Sequence, residues 1–192
     1  VGSEMCIRDS LYITYGNDRL AIVDSNDASV SVDWTNYWGG QVHESKAYAV
    51  EGVDTGSDNI AIGYNALADN TTLGNNIAIG RNALAAQTSG GEFNVAVGSY
   101  SLDENTFGDK NVALGYVALG KNTEAGNNTG VGDEALKLNT TGTNNTCIVH
   151  NALATNREGI DNTAVGADAF VLNLTGDNNT GVGKAALMDN TG

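Results

Sequence analysis

The side chains able to do covalent chemistry are few in this chain, and none stands in a pattern that would use them. The histidines are His43 and His150, in unrelated surroundings. No serine, histidine and aspartate fall together as a nucleophile with its base. CxxC, HExxH and the phosphate-binding P-loop are all missing from the sequence. Asp24, Asn26 and Asp27 are rich in oxygen but lack the spacing of a calcium loop, so a solvated loop is expected there. Sequons such as Asn139-Thr140-Thr141 recur, but a repeating sequence generates them automatically. The expectation is a chain without catalytic residues, cofactor or metal. What remains is recognition by exposed rings and charges. The candidates are Tyr64, Arg81, Tyr100, Tyr116, His150 and Lys184, at variable positions, and the two tryptophans Trp34 and Trp38. The tryptophan pair suits either stacking on a sugar ring or packing the start of the fold.

The residues between these candidates repeat, and the repeat must position them. Gly63, Gly80, Gly98, Gly115, Gly132, Gly166 and Gly183 follow one another at steps of 17. The exceptions are a step of 18 from Gly80 to Gly98 and one of 34 from Gly132 to Gly166, with Val149 at its midpoint. Eight units result. A short fixed period means stacked coils, none of which can bury its apolar face alone.

Each column of the repeat has a structural reading. Four residues before the anchor stand Asn59, Asn76, Asn94, Asn111, Asn128, Asn145, Asn162 and Asn179. Stacked amides can ladder along a fibre axis, and Asn also suits turns. A three-residue run follows: β-branched, small, aliphatic, as in Ile60-Ala61-Ile62 and Thr146-Cys147-Ile148. This predicts a short strand with its larger side chains on one face. The small column would lie on the other face, where backbone or another chain approaches closely, and Cys147 reads as a small core residue there. A once-per-coil knob comes next: Leu67, Leu84, Leu102, Leu119, Leu136, Leu153, Phe170 and Leu187. The residues around it fit a helical turn or a second short strand equally. A second amide column, Asn70, Gln87, Asn105, Asn122, Asn139, Asn156, Asn173 and Asn190, opens a turn. The one insertion falls in that turn, at Gly90-Gly91. Because valine replaces the anchor glycine at position 149, the anchor is expected to have extended φ, with glycine there for close packing.

Composition narrows the function. Proline is absent, as an unbroken hydrogen-bonded stack requires, and each coil has only about three larger apolar side chains. So thin a core predicts that partner chains complete it. The formal net charge of −14 disfavours nucleic acid and anionic membranes as partners. No apolar run is long enough to span a membrane. Three regions are expected. Residues 1–10, VGSEMCIRDS, look like translated sequencing-adapter read-through rather than native protein. Residues 11–57 read as a small β-rich module or cap, opening with a hairpin that turns at Gly16-Asn17-Asp18. Residues 58–192 are the repeat.

Units such as NNTGVGDEALKLNTTG, DNTAVGADAFVLNLTG and NNIAIGRNALAAQTSG resemble two related groups. One is the head repeat of trimeric autotransporter adhesins (YadA-type, Hep/Hag repeats). The closer likeness is to the NTAVGxxALxxNTTG arrays of bacteriophage tail fibres. The period of 17 departs from the shorter adhesin repeat, and no neck, stalk, anchor or chaperone domain is recognisable. The resemblance implies a mainly all-β parallel β-roll or β-solenoid, homotrimeric and extracellular, on a virion or a bacterial surface. It implies a non-enzymatic structural or adhesive segment that extends a receptor-binding fibre, with a cell-surface glycan or protein as receptor. Eight coils at about 4.8 Å each would give a rod roughly 40 Å long. Two alternatives compete. One is an ice- or surface-binding solenoid, suggested by the column Thr129, Thr146, Thr163 and Thr180. The other is a non-catalytic part of a polysaccharide depolymerase fibre.

Overall fold

A computed structural model describes residues 58–70, 73–88 and 90–190, together with the backbone of four strands nearer the N-terminus. Those are β1 (Ser10–Tyr15), β2 (Asp18–Val23), β3 (Ser31–Trp38) and β4 (Gln41–Tyr48). β1 pairs antiparallel with β2, as the alternation of Leu11 to Tyr15 predicts, and β3 pairs antiparallel with β4. Ser10, assigned from sequence to the adapter-like segment, pairs with Val23 at the end of β1. The rest of that segment, and Asp24, Asn26 and Asp27, lie outside the described residues.

The repeat forms one parallel sheet of eight strands in chain order. These are β5 (Ile60–Ile62), β6 (Ile77–Ile79), β7 (Val95–Val97), β8 (Val112–Leu114), β9 (Thr129–Val131), β10 (Thr146–Ile148), β11 (Thr163–Val165) and β12 (Thr180–Val182). Each residue pairs with its equivalent one coil away. The register survives the insertion, because Ile77 still meets Val95 across the 18-residue step. The extra residue is taken up in the turn at Gly91, whose φ is +96°. The chain is therefore an all-β parallel β-solenoid.

The segment carrying the leucine knob is neither helix nor strand. Among the described residues there is no helix. Two successive turns close instead, as in Ala66 N–H donating to Gly63 O and Asn70 N–H donating to Leu67 O. The knob itself adopts left-handed φ, between +49° and +54°, in all eight coils. For an L-residue this costs roughly 1–2 kcal/mol. It is offset by what the conformation allows. The knob's N–H donates to a carbonyl of the next coil, as from Leu119 to Ala135 O at 3.0 Å, and its side chain turns into the core. A helical turn would spend those N–H groups within the coil and leave the ladder between coils unmade.

The small column is core, as expected of Cys147, while the strand pattern leaves open which way the larger residues point. The small column is the inward one: Ala78, Ala96, Ala113, Cys147 and Ala164 are buried against the leucine knobs. The larger β-branched residues point outward and stay partly or largely exposed. A coil of 17 residues encloses room for one large side chain, and the leucine takes it. Where Phe170 replaces leucine, Gly181 stands over it, and a Cβ there would come within 2.5 Å of the ring. Leu187, the knob of the last coil, is more than half exposed because no coil covers it.

The two asparagine columns complete the interior. In the first, each side-chain oxygen accepts from the backbone N–H of the next asparagine up the stack, as Asn111 Oδ1 does from Asn128 N at 2.9 Å. Its Nδ2 donates to a turn carbonyl, as Asn128 does to Gly142 O at 2.8 Å. In the second column amide bonds directly to amide: Asn122 to Asn105, Asn139 to Asn122, Asn156 to Asn139, at 2.8–3.1 Å. Asn139 Nδ2 also reaches Gly142 O, so both columns converge on one carbonyl. Except at the ends of the stack, at Asn59, Asn179 and Asn190, these amides are fully buried, and pairing removes the cost of burying them. The second ladder breaks at Gln87, whose Nε2 turns to Gly91 O while its Oε1 is buried without a partner.

The anchor conformation also corrects the expectation. All seven anchor glycines have φ between +121° and +143°, and Val149 follows at +88°. The position is not extended, and Val149 carries the strain of a β-branched residue in glycine's territory. Close packing holds as well. A Cβ on Gly115 would lie 2.3 Å from Gly132 O of the next coil.

Candidate functional site: the outward strand face and its ridge

The outward strand positions form two parallel columns up the stack. Over β5–β8 both are aliphatic, from Ile60 and Ile62 to Val112 and Leu114. Over β9–β12 the first column becomes Thr129, Thr146, Thr163 and Thr180 while the second stays Val or Ile. None of these positions carries a charge, in a chain whose formal net charge is −14. Thr129, Thr146 and Thr163 are half-buried and Thr180 is exposed.

Beside this face, just past each anchor, runs a ridge. The sequence candidates Tyr64, Arg81, Tyr116, His150 and Lys184 occupy one column of it, and Tyr100 sits one residue further along in its own coil. Four of these meet in pairs. The Arg81 guanidinium lies 5.2 Å from the Tyr64 ring centroid, and Tyr100 meets Tyr116 edge to face at 6.2 Å. Backbone bonds fix the spacing: Asn82 N–H donates to Tyr64 O, Tyr100 to Arg81 O, and Glu134 to Tyr116 O, at 2.8–2.9 Å. Further up, His150 stands 4.0 Å from Asp133 on one side and 4.0 Å from Asp168 on the other. Lys184 is exposed in the last coil. Trp34 and Trp38 belong to β3, Trp34 opposite Ser45 and Trp38 opposite Gln41, and their side chains are outside the described residues.

The titratable groups that depart from ordinary behaviour lie away from the ridge. Burial pushes the Cys147 thiol far up, against a smaller opposing backbone hydrogen bond from Ala164. Burial, and then the Glu104 charge, raise the Asp103 carboxyl, while Lys121 opposes them. Lys121 is itself raised, mainly by its hydrogen bond to Glu104. Among the described residues no three metal-ligating side chains converge. Asp133, Asp168 and the outward aliphatic columns were not singled out by sequence. The acids look like ordinary variable positions until stacking sets His150 between them, and the strand pattern alone leaves the outward face open. Comparison with family models, curated proteins and solved structures found no match to the chain.

Proposed function

We propose that this chain is a non-enzymatic segment of a tail fibre or bacterial surface adhesin, a stiff rod that associates with copies of itself. The observation that carries this reading is the uncharged outward face of an otherwise acidic chain. A second copy presents an equally uncharged surface, and joining them removes exposed Ile and Val from water. The sheet spans roughly 35 Å by 10 Å, less than the about 800 Å² per partner of a standard interface. A single pairing of these strips is therefore weak. Three chains about a common axis bury more, since each meets two neighbours. Light scattering of the purified chain tests this: three copies are expected, and a stable monomer at micromolar concentration overturns it. Ile79→Glu, in the aliphatic half, is expected to dissociate the assembly without unfolding the coils.

A second reading has its own observation. The threonine column faces outward in register at one hydroxyl per coil, so β9–β12 offer a regular array of hydroxyl and methyl groups. Such an array suits an ordered water surface, that is, ice. Self-association and ice binding make opposite demands on the face, because copies that cover it remove it from ice. Thermal hysteresis lost on Thr146→Lys supports the ice reading; its absence in the parent chain ends it.

A further inference from the structure

We propose that the ridge of Tyr64, Arg81, Tyr100 and Tyr116 binds a linear, uncharged glycan lying along the stack. The inference rests on the receptor-binding reading above and names the ligand class for it. Seven tyrosines occur in the chain, and the three within the repeat all fall on this ridge, in the first, third and fourth coils. Arg81 fills the second coil and is the only arginine in those four. Phe93 and Phe107 are also exposed, but they stand in other columns and pair with no ring or guanidinium among the described residues.

Three features fit a sugar chain. A tyrosine offers an apolar face to the C–H side of a pyranose and a hydroxyl to its polar edge. Tyr64 and Tyr116 are each about half exposed, at 46% and 53%, with the Arg81 guanidinium over the Tyr64 ring and Tyr100 edge to face with Tyr116. Spacing is the second feature. One ridge position recurs per coil, about 4.8 Å apart, close to the rise of one sugar in an extended β-linked glycan. Backbone bonds between coils hold that spacing, so little order need be imposed on binding. Charge is the third. Arg81 is the sole cation here on a chain of net charge −14, so an anionic polysaccharide is repelled while neutral or N-acetylated sugars are not. Self-association would raise weak single-site affinity by presenting several ridges together.

The test is calorimetry of the full chain with cellohexaose, chitohexaose and, as the anionic comparison, hexameric alginate. Binding of one neutral hexamer is expected, weakened about tenfold by Tyr64→Ala and again by Tyr116→Ala, with Glu158→Ala, exposed and off the ridge, unchanged. Circular dichroism and light scattering on each variant separate loss of the ridge from loss of fold or assembly. If the variants remain folded and associated yet bind as the parent does, the ridge is not the site. If neither neutral hexamer binds, or alginate binds best, the proposal fails even where the fibre reading stands. A monomeric chain that still binds through Tyr64 and Tyr116 would keep the ridge and remove the assembly.

Discussion

Replacing an anchor glycine by alanine separates two costs that the stack combines. At Gly115 the φ of +143° is disfavoured for any L-residue, and a new Cβ would meet Gly132 O at 2.3 Å and its carbonyl carbon at 2.6 Å. The first cost is roughly 1–3 kcal/mol. The second forces the next coil away by about an ångström, against backbone bonds of 2.8 Å from Gly132 N to Leu114 O and 2.9 Å from Glu134 N to Tyr116 O. Losing two such bonds costs about 1–3 kcal/mol more. Gly183 has a similar φ of +121°, but a Cβ there meets nothing within 4 Å. Gly183→Ala should therefore cost only the conformational part, and Gly115→Ala about 1–3 kcal/mol beyond it. Urea unfolding followed by far-ultraviolet circular dichroism measures both. Neighbouring coils are coupled, so damage at the fourth coil should also broaden the transition, while damage at the last coil should leave the main transition in place. Equal losses at the two sites, or a milder loss at Gly115, would refute the claim that backbone contact between coils fixes this column.

Three further outcomes follow from the interior. Val149→Gly should change stability by less than about 1 kcal/mol, because relief of strain at φ +88° balances glycine's entropy and the lost side chain; Val131→Gly, the same exchange in a strand, should cost about 2 kcal/mol in the same urea assay. Asn139→Asp puts a carboxylate against Asn122 Oδ1 and Gly142 O, both of which now accept from Asn139 Nδ2. Burial there must raise the folded-state pKa above its unfolded value of about 3.9, so the variant is most stable below that value, where the protonated acid can donate. Its stability falls as pH rises through the folded pKa, and pH-dependent melting should show this, with no matching trend in the parent. Cys147 is fully buried, so in a Cys6→Ser background its thiol should resist iodoacetamide until urea opens the stack; rapid labelling of the folded chain would contradict the packing.

How much of this was legible depends on what a period can encode. The 17-residue repeat, its single insertion and the parallel register could be read because register in a solenoid is set by equivalence between coils, whatever lies inside them. The amide columns were legible as structural for the same reason. Two things were not. Alternation in Ile77-Ala78-Ile79 separates two faces, and the small column could be read as core at Cys147, but nothing in the pattern said that the larger β-branched side chains are left facing outward. The left-handed turns had one available signal. The residue before the first amide column is Asp58, Asn75, Asn127, Asn144, Asp161 or Asn178 in six of eight coils, and Asn and Asp tolerate that conformation. Nothing comparable marks Leu119 or Phe170, which adopt it because the stack supplies their hydrogen bonds.

The uncharged outward face links the fold to the proposed function. With alanine and one leucine filling each coil, the β-branched residues of β5–β12 add little to the interior of their own chain. A solenoid needing only its own stability would gain solubility by exchanging Ile62, Ile79 or Leu114 for lysine or glutamate, yet the face carries no charge along its whole length. Keeping sixteen outward positions uncharged makes physical sense when something uncharged comes to lie against them. Charge-bearing residues are displaced instead to the neighbouring ridge, where Arg81, Asp133, His150 and Lys184 stand. A face for assembly bordered by a ridge for recognition is the division of labour that the two proposals together assign to this repeat. On those proposals, the columns that stack stay constant, the outward face stays uncharged for assembly, and the variable ridge is left for recognition.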